Sequence, residues 1–391
     1  MRILHIIDTL DLAAGGPAES IRRIVESFPP MGHVGEVVCL DDPHAPFLRD
    51  VDFSVHALGP VSTTYGVNFK LIPWLKENRH HYDGAVMHGL WTFSGFATWR
   101  AFAGELPYVV FPHGMLDPYF KHAFPLKHAK KWLYWVVAQY WILRAAHRVL
   151  FTSTTEAADA KKSFWLHSWR PQVVPYGASA PEGDPEMLKK SFFAHCPSIA
   201  GRPYLLFLGR IHPKKGCDLL VEAFAKIAQQ APDLQLVFAG PDQVGWRAKL
   251  DAKAAAAGIA DRLHWPGMIR DDLKWGAFYG CEAFILPSHQ ENFGIAVAEA
   301  LACGKPVLLA DKVNIAPDIL AAGAGYVETD TLAGTLRLLE AWLATTPAQR
   351  EQMSVKALAC FRDLYDMKEN AKVIIRIFED VTNEAAREAA K

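Results

Sequence analysis

The sequence predicts an α/β protein of two domains, each built on a parallel sheet covered by helices. Three observations carry this. The chain has 391 residues, more than one ordinary domain uses. Short apolar runs alternate with longer helical patterns along most of its length. The alternation stops in a polar stretch near the middle and then starts again.

In chain order, the first series of candidate strands is 2–7, 34–39, 85–88, 108–112, 149–152 and 172–174. The second is 204–208, 235–238, 263–265, 283–286 and 306–309. Runs that are apolar throughout suit strands buried on both faces of a parallel sheet. Between the series, residues 177–202 carry several Pro, Gly and Ser residues. The interdomain linker is placed at the start of this stretch, with a small helix at 185–193 after it. The expected domains are therefore 1–176 and 177–364. The end of the chain, roughly 357–387, reads as helix, and the part from about 365 to 391 is expected to pack back on the first domain.

Composition narrows the function. Forty-one basic residues nearly cancel forty-two acidic ones, so no global charge favours nucleic acid as a partner. The opening MRILHIIDTL reads as a buried strand rather than a signal peptide. No window reaches the roughly 18–20 apolar residues of a membrane span. The nearest, 132–143, is short and runs into Arg144. The six cysteines are scattered without a CxxC pair, which suggests reduced thiols in a cytoplasm and no zinc knuckle.

Three segments carry candidate chemistry. In the first, Gly15 and Gly16 lie between the first strand and a helical pattern at 18–27. Paired glycines there let backbone N–H groups approach an anion beside a helix N-terminus. The spacing is not GxGxxG, and no acidic residue closes a clear second strand, so a dinucleotide fold is poorly supported. A tight turn without a ligand is the plain alternative. In the second segment, a strand runs into Gly209 and Arg210, with Lys215 five residues later just before a helix. One forked and one point cation at the carboxyl edge of a parallel sheet suit a diphosphate, and a solvated basic turn is the alternative.

The third segment is the sharpest. An apolar strand ends at Leu286, and a polar loop carries Glu291 and Asn292. After Phe293, Gly294 opens an Ala-rich helix containing Glu299. The helix N-terminus offers N–H groups and a positive dipole end to a phosphate. Two carboxylates beside a diphosphate would repel it unless hydroxyl donors occupy them, and a sugar nucleotide supplies such donors. The acidic pairs Asp41-Asp42 and Asp271-Asp272 lack metal-site spacing and read as turns.

At these residues the sequence resembles glycosyltransferase family 4, whose members have the GT-B fold: two Rossmann-like domains with parallel sheets facing a central cleft. GRIHPKKG, VFAGP, HWPGMI and LPSHQENFGIAVAEALACGKPVL carry the resemblance through the second half. The resemblance implies a retaining, metal-independent hexosyltransferase with no cofactor, of the kind that builds bacterial polysaccharides. It places Arg210 and Lys215 on the donor diphosphate, Glu299 on the ribose and Glu291 on the transferred sugar. Backbone groups at Gly267, Met268 and Ile269 would hold the base. Gly209, Asn292, Phe293, Gly294 and Ile295 complete the implied donor set. The first half resembles the family more loosely, with Gly15 and Gly16 against the diphosphate and His113 hydrogen-bonded to the donor sugar. A structural histidine in a turn is the alternative for His113. The implied route is a same-face substitution, because double displacement needs a further carboxylate and none in the first domain is marked out.

The implied acceptor is a glycan or lipid-linked glycan, and the implied donor a UDP-sugar first and GDP-mannose second. Trp91, Asp117 and Lys121 are the acceptor-side candidates; Asp117 also reads as a helix cap before Pro118. Residues 121–148 hold six Lys or Arg, no Asp or Glu, and several large aromatics. This suits an anionic bilayer surface, so peripheral contact with the inner face of the plasma membrane is a further expectation. A core helix with solvated lysines is the alternative. A sugar-nucleotide epimerase and a non-catalytic nucleotide-sugar sensor are the two rival functions.

Overall fold

In a computed structural model, the described residues are 1–14, 16–49, 51–61, 63, 65–119, 121, 125–174 and 176–389. The chain divides into two compact units, one of Met1–Tyr176 with Met367–Lys391, the other of Gly177–Asp366.

The first unit holds seven strands: β1 (Arg2–Ile6), β2 (Val34–Cys39), β3 (Val55–Ala57), β4 (Gly84–His88), β5 (Tyr108–Phe111), β6 (Arg148–Phe151) and β7 (Pro171–Val173). They run parallel in the order β3-β2-β1-β4-β5-β6-β7. β1 and β4 are neighbours, so the strand order reverses direction between them. That is the switch point where open α/β sheets hold ligands beyond the strands' carboxyl ends. The central strands are buried almost throughout and are mostly apolar, with His5 in β1 and His88 in β4 buried among them.

The second unit repeats the plan with β8 (Tyr204–Leu208), β9 (Gln235–Ala239), β10 (Leu263–Gly267), β11 (Ala283–Leu286), β12 (Val307–Ala310) and β13 (Gly325–Glu328). The order is β10-β9-β8-β11-β12-β13, again all parallel, with its switch point between β8 and β11. The helix Pro185–His195 is capped by the Asp184 side chain, which accepts from Met187 N–H, with proline at its first position.

Two expectations need correction. The edge strands β3 and β13 are absent from the sequence reading, because both are short and only half-buried and so lack an unbroken apolar run. The continuous terminal helix expected from about 357 is interrupted. Pro347–Cys360 runs into a π-helical turn, Phe361–Tyr365, and Asp366 is extended before a new helix, Met367–Ala389. At that break Ala178 N–H donates to the Tyr365 carbonyl at 3.0 Å. A Cβ on Gly177 would lie 1.7 Å from the same carbonyl oxygen, so only glycine permits the approach. The new helix belongs to the first unit, with Ile374 and Phe378 fully buried and Phe378 against Gly84.

Candidate functional site

In the second unit, the loop after β8 and the loop after β11 meet at the switch point. Gly216 has φ +66°, and a Cβ there would lie 2.0 Å from the Pro287 carbonyl oxygen, so glycine lets the two loops touch. His289 N–H donates to the Lys214 carbonyl at 2.9 Å and reinforces the contact. Lys215 Nζ therefore reaches Glu291, and the two form an ion pair that is mostly buried. Glu291 is fixed through its backbone, its N–H donating to Lys312 and its carbonyl accepting from Asn314, both at 3.0 Å. Arg210 is exposed, without a hydrogen bond or ion pair among the described residues. Beside it the His212 imidazole sits below its ordinary value, through burial and then the charges of Arg210, Lys214 and Lys215.

Gly294, at φ +78°, starts the helix Ile295–Ala302, and no side chain caps it. Phe293 is buried edge-on against Tyr365, which anchors the loop, while Asn292 Oδ1 faces Asn314 Nδ2 at 3.5 Å. Glu299 is 5% exposed and accepts a 2.6 Å hydrogen bond from Lys274 Nζ, on the helix Asp271–Gly280. It is thus a buried, paired carboxylate rather than a solvated helix residue. The expected repulsion between two carboxylates and a diphosphate is met differently from the sequence argument: each glutamate carries its own lysine. Lys274 has no sequence signal beyond an ordinary position in a helix. Gly267 has φ +77°, its carbonyl accepts from Gly240 N–H at 2.8 Å, Met268 is half-exposed and Ile269 is buried.

In the first unit, a cavity of about 170 Å³ lies at the carboxyl ends of β1, β4 and β5, against the start of the helix Gly16–Glu26. Asp8, Thr9, His88, Thr92, His113 and Met115 line it, with Ala14, Pro17 and Ala18 from the glycine loop and helix. Gly16 opens that helix and is exposed, and Gly15 lies outside the described residues. His113 adopts φ +50°, a sparsely populated conformation for a non-glycine residue. The next residue holds it there: Gly114 N–H donates to Glu156 Oε1 at 2.8 Å, while Glu156 Oε2 accepts from the Thr152 N–H and hydroxyl, both at 2.7 Å. His113 stacks on Phe111 at 4.5 Å and bonds through Nε2 to His88.

Asp8 is the carboxylate that sequence reasoning missed. It reads as the end of a strand, yet it lines the cavity and accepts from the Ser94 hydroxyl. Burial raises its pKa, and hydrogen bonds from Ser94 and Thr92 partly offset that. Asp41, one of the acidic pairs, accepts from Thr9 Oγ1 at 2.6 Å and Leu10 N–H at 2.8 Å, and so shapes the loop after β1.

The acceptor candidates lie apart from this cavity's lining. Trp91 has φ +71°, donates through its backbone to Gln139 and through Nε1 to Met115, and packs near Trp135 and Phe164 with Lys131 over its ring at 4.4 Å. Its ring is packed rather than presented. Asp117 Oδ1 accepts from Tyr119 N–H at 2.8 Å, a local turn, and Lys121 is exposed. Past residues 122–124, which lie outside the described set, the helix Pro125–Tyr134 continues through a π turn, Trp135–Gln139, into Tyr140–Ala145. Trp135, Ile142 and Leu143 are core, whereas Leu126, Leu133, Val137 and Trp141 are exposed beside Lys127, Lys130 and Arg144. No helix among the described residues is long and apolar enough to cross a membrane.

Comparison with known proteins decides the family. The model for glycosyl transferases group 1 matches residues 190–358, and that for the glycosyl transferase 4-like domain matches residues 15–177. The chain belongs to the GT-B glycosyltransferases of family 4. A D-inositol 3-phosphate glycosyltransferase of Geodermatophilus obscurus is 30% identical over 185 residues, covering 45% of this chain and 40% of that protein. The chain thus spans about half the length or less of such curated relatives. Sucrose-phosphate synthase from Thermosynechococcus elongatus superposes with a TM-score of 0.77 at 19% identity, over 98% of this chain and 99% of that one. Anabaena HepE in complex with UDP and glucose gives 0.74 at 18% identity, over 99% of both chains. These likenesses show the GT-B fold.

Proposed function

We propose that this chain is a retaining, metal-independent hexosyltransferase that moves a sugar from a nucleoside-diphosphate donor to a glycan or lipid-linked glycan. The observation that carries this reading is the paired arrangement Lys215–Glu291 and Lys274–Glu299 at the switch point of the second sheet, with Arg210 exposed beside it. Carboxylates held in place by lysines are ready acceptors for ribose and sugar hydroxyls. Arg210, Lys215 and the uncapped helix end supply positive charge for a diphosphate. That HepE was solved with UDP and glucose favours a UDP-sugar, with GDP-mannose second. The leaving β-phosphate oxygen takes the acceptor's proton on the same face, while Arg210 and Lys215 stabilise its growing charge. Losing one such donor costs about 10²–10³ in rate.

In the first unit, the cavity with Asp8 and His113 is assigned to hydroxyl groups of a bound sugar. The exposed apolar and basic face of residues 125–145 is assigned to an anionic lipid surface, where its charge sign and its exposed Leu133 and Trp141 fit headgroups and acyl boundary together. On this reading the enzyme works in the cytoplasm against the inner leaflet, in polysaccharide assembly.

The test measures nucleotide release from UDP-glucose and GDP-mannose with and without lipid-linked glycan acceptors, and reads the product anomer by NMR. Release that depends on acceptor, with the donor's anomeric configuration kept, is expected. Acceptor-independent release of an epimerised sugar would replace this reading with the epimerase one.

A further inference from the structure

Three histidines from three neighbouring strands form one hydrogen-bonded file. His5 lies within β1, His88 ends β4 and His113 follows β5. His5 Nδ1 is 3.0 Å from His88 Nε2, and His88 Nδ1 is 3.0 Å from His113 Nε2. The rings stack at 5.2 Å and 5.3 Å. His5 is wholly buried and His88 nearly so, with the Phe28 ring 5.8 Å from His5. His113 borders the cavity.

A neutral imidazole has one N–H and one lone pair, so each link of the file carries one proton and the whole file has only two polarities. In one, His5 donates to His88, His88 donates to His113, and His113 shows Nδ1–H to the cavity. In the other, every proton moves to the opposite nitrogen: His113 shows a lone pair, and His5 holds an Nε2–H. The buried end discriminates, because His5 Nε2 has no hydrogen-bond partner. A buried N–H without an acceptor is the rarer orphan.

We infer that His5 and His88 are positioning residues that fix His113 as its Nδ1–H tautomer, so that the cavity presents a neutral hydrogen-bond donor for a sugar hydroxyl. Replacing the donor at the far end of the file by an acceptor then changes what His113 offers, although His5 lies two hydrogen bonds away. The inference deepens the proposed function, but its structural part needs no substrate.

The experiment uses the full chain with ¹⁵N-labelled histidine and long-range ¹H–¹⁵N correlation at pH 7.5, with rings assigned from single His→Gln variants. The expected wild-type spectrum has His113 protonated at Nδ1 and bare at Nε2. A proton on Nε2 of His113, or an imidazolium anywhere in the file, overturns the inference. In His5→Met, the thioether can accept from His88 Nε2–H but cannot donate to it, so the file should reverse and His113 should shift toward Nε2–H. Transfer kcat should then fall by roughly tenfold or more, with nucleotide affinity unchanged. In His5→Leu, His88 Nε2 has no partner and by the same rule stays bare, so both readouts should remain those of the wild type. An unchanged His113 tautomer in His5→Met also overturns the inference. If His5→Met fails to fold, the wild-type spectrum alone decides. If the expected tautomer appears in a protein that transfers no sugar, the file stands and the transferase reading falls.

Discussion

At the scale of single residues, pairing decides what a substitution does. Glu299 is almost fully buried and its partner Lys274 is largely so. Replacing Lys274 by methionine leaves an unpaired buried carboxylate, which costs about 3 kcal/mol. Calorimetric melting should show this as a Tm lower by roughly 6–12 °C. A Tm within a degree or two of wild type would mean that the pair is solvated. The histidine file makes a second prediction, this time of pH dependence. Burial pushes His5 and His113 down to about 3, and His88 well below its ordinary value. The unfolded chain takes up protons below about pH 6.5 and the folded chain does not. Stability is therefore full above that pH and is lost as pH falls toward 3, by about 1.4 kcal/mol per pH unit for each histidine kept neutral. Urea melts at pH 7.5 and 5.5 check the slope, and equal midpoints would contradict it. Arg210, Lys215, Glu291 and Glu299 stood out in the sequence because they cluster where strands give way to helices. Lys274, Asp8 and His5 did not. Each sits in an element as an unremarkable residue, and its meaning comes from neighbours distant in sequence, such as His88 for His5.

At the scale of elements, the stretch from residue 125 to 145 combines two readings that looked exclusive. Its inward side is core through Trp135, Ile142 and Leu143, and its outward side carries Leu133, Val137 and Trp141 among basic residues. Sedimentation with phosphatidylglycerol vesicles should fall about tenfold or more in a Lys127→Glu, Lys130→Glu, Trp141→Ser variant, since each basic residue near such a surface contributes about 1 kcal/mol. Equal sedimentation would remove the membrane assignment while leaving the donor site untouched. The break at Asp366 gives a sharper structural prediction. Gly177→Ala sets a methyl group against the Tyr365 carbonyl, so the melting transition should drop by several degrees, and an unchanged Tm would place the close approach in doubt. Strands were legible where both faces are buried, as in β8 and β11, because such strands are apolar at every position. β3 and β13 escaped because an edge strand has partners on one side only and tolerates polar residues.

At the scale of the whole molecule, the first unit is discontinuous in sequence, since its last helix comes from the chain's end. Ile374, Ile375, Ile377 and Phe378 are buried, at about 1.5–3 kcal/mol each. Together they rival the roughly 5–15 kcal/mol that holds a whole domain. A chain ending at residue 366 should therefore lose the folded first unit, seen as early hydrogen exchange in β1 and β4, and native protection there would refute the packing. The central claim concerns the second unit, and titration calorimetry with UDP, without divalent metal, tests it most directly. The account predicts one UDP per chain, bound at least about tenfold (1.4 kcal/mol) more weakly by both Arg210→Ala and Glu299→Ala. Failure of UDP and GDP alike to bind, or binding undiminished in both variants, would contradict the assignment of this site to a nucleoside-diphosphate sugar.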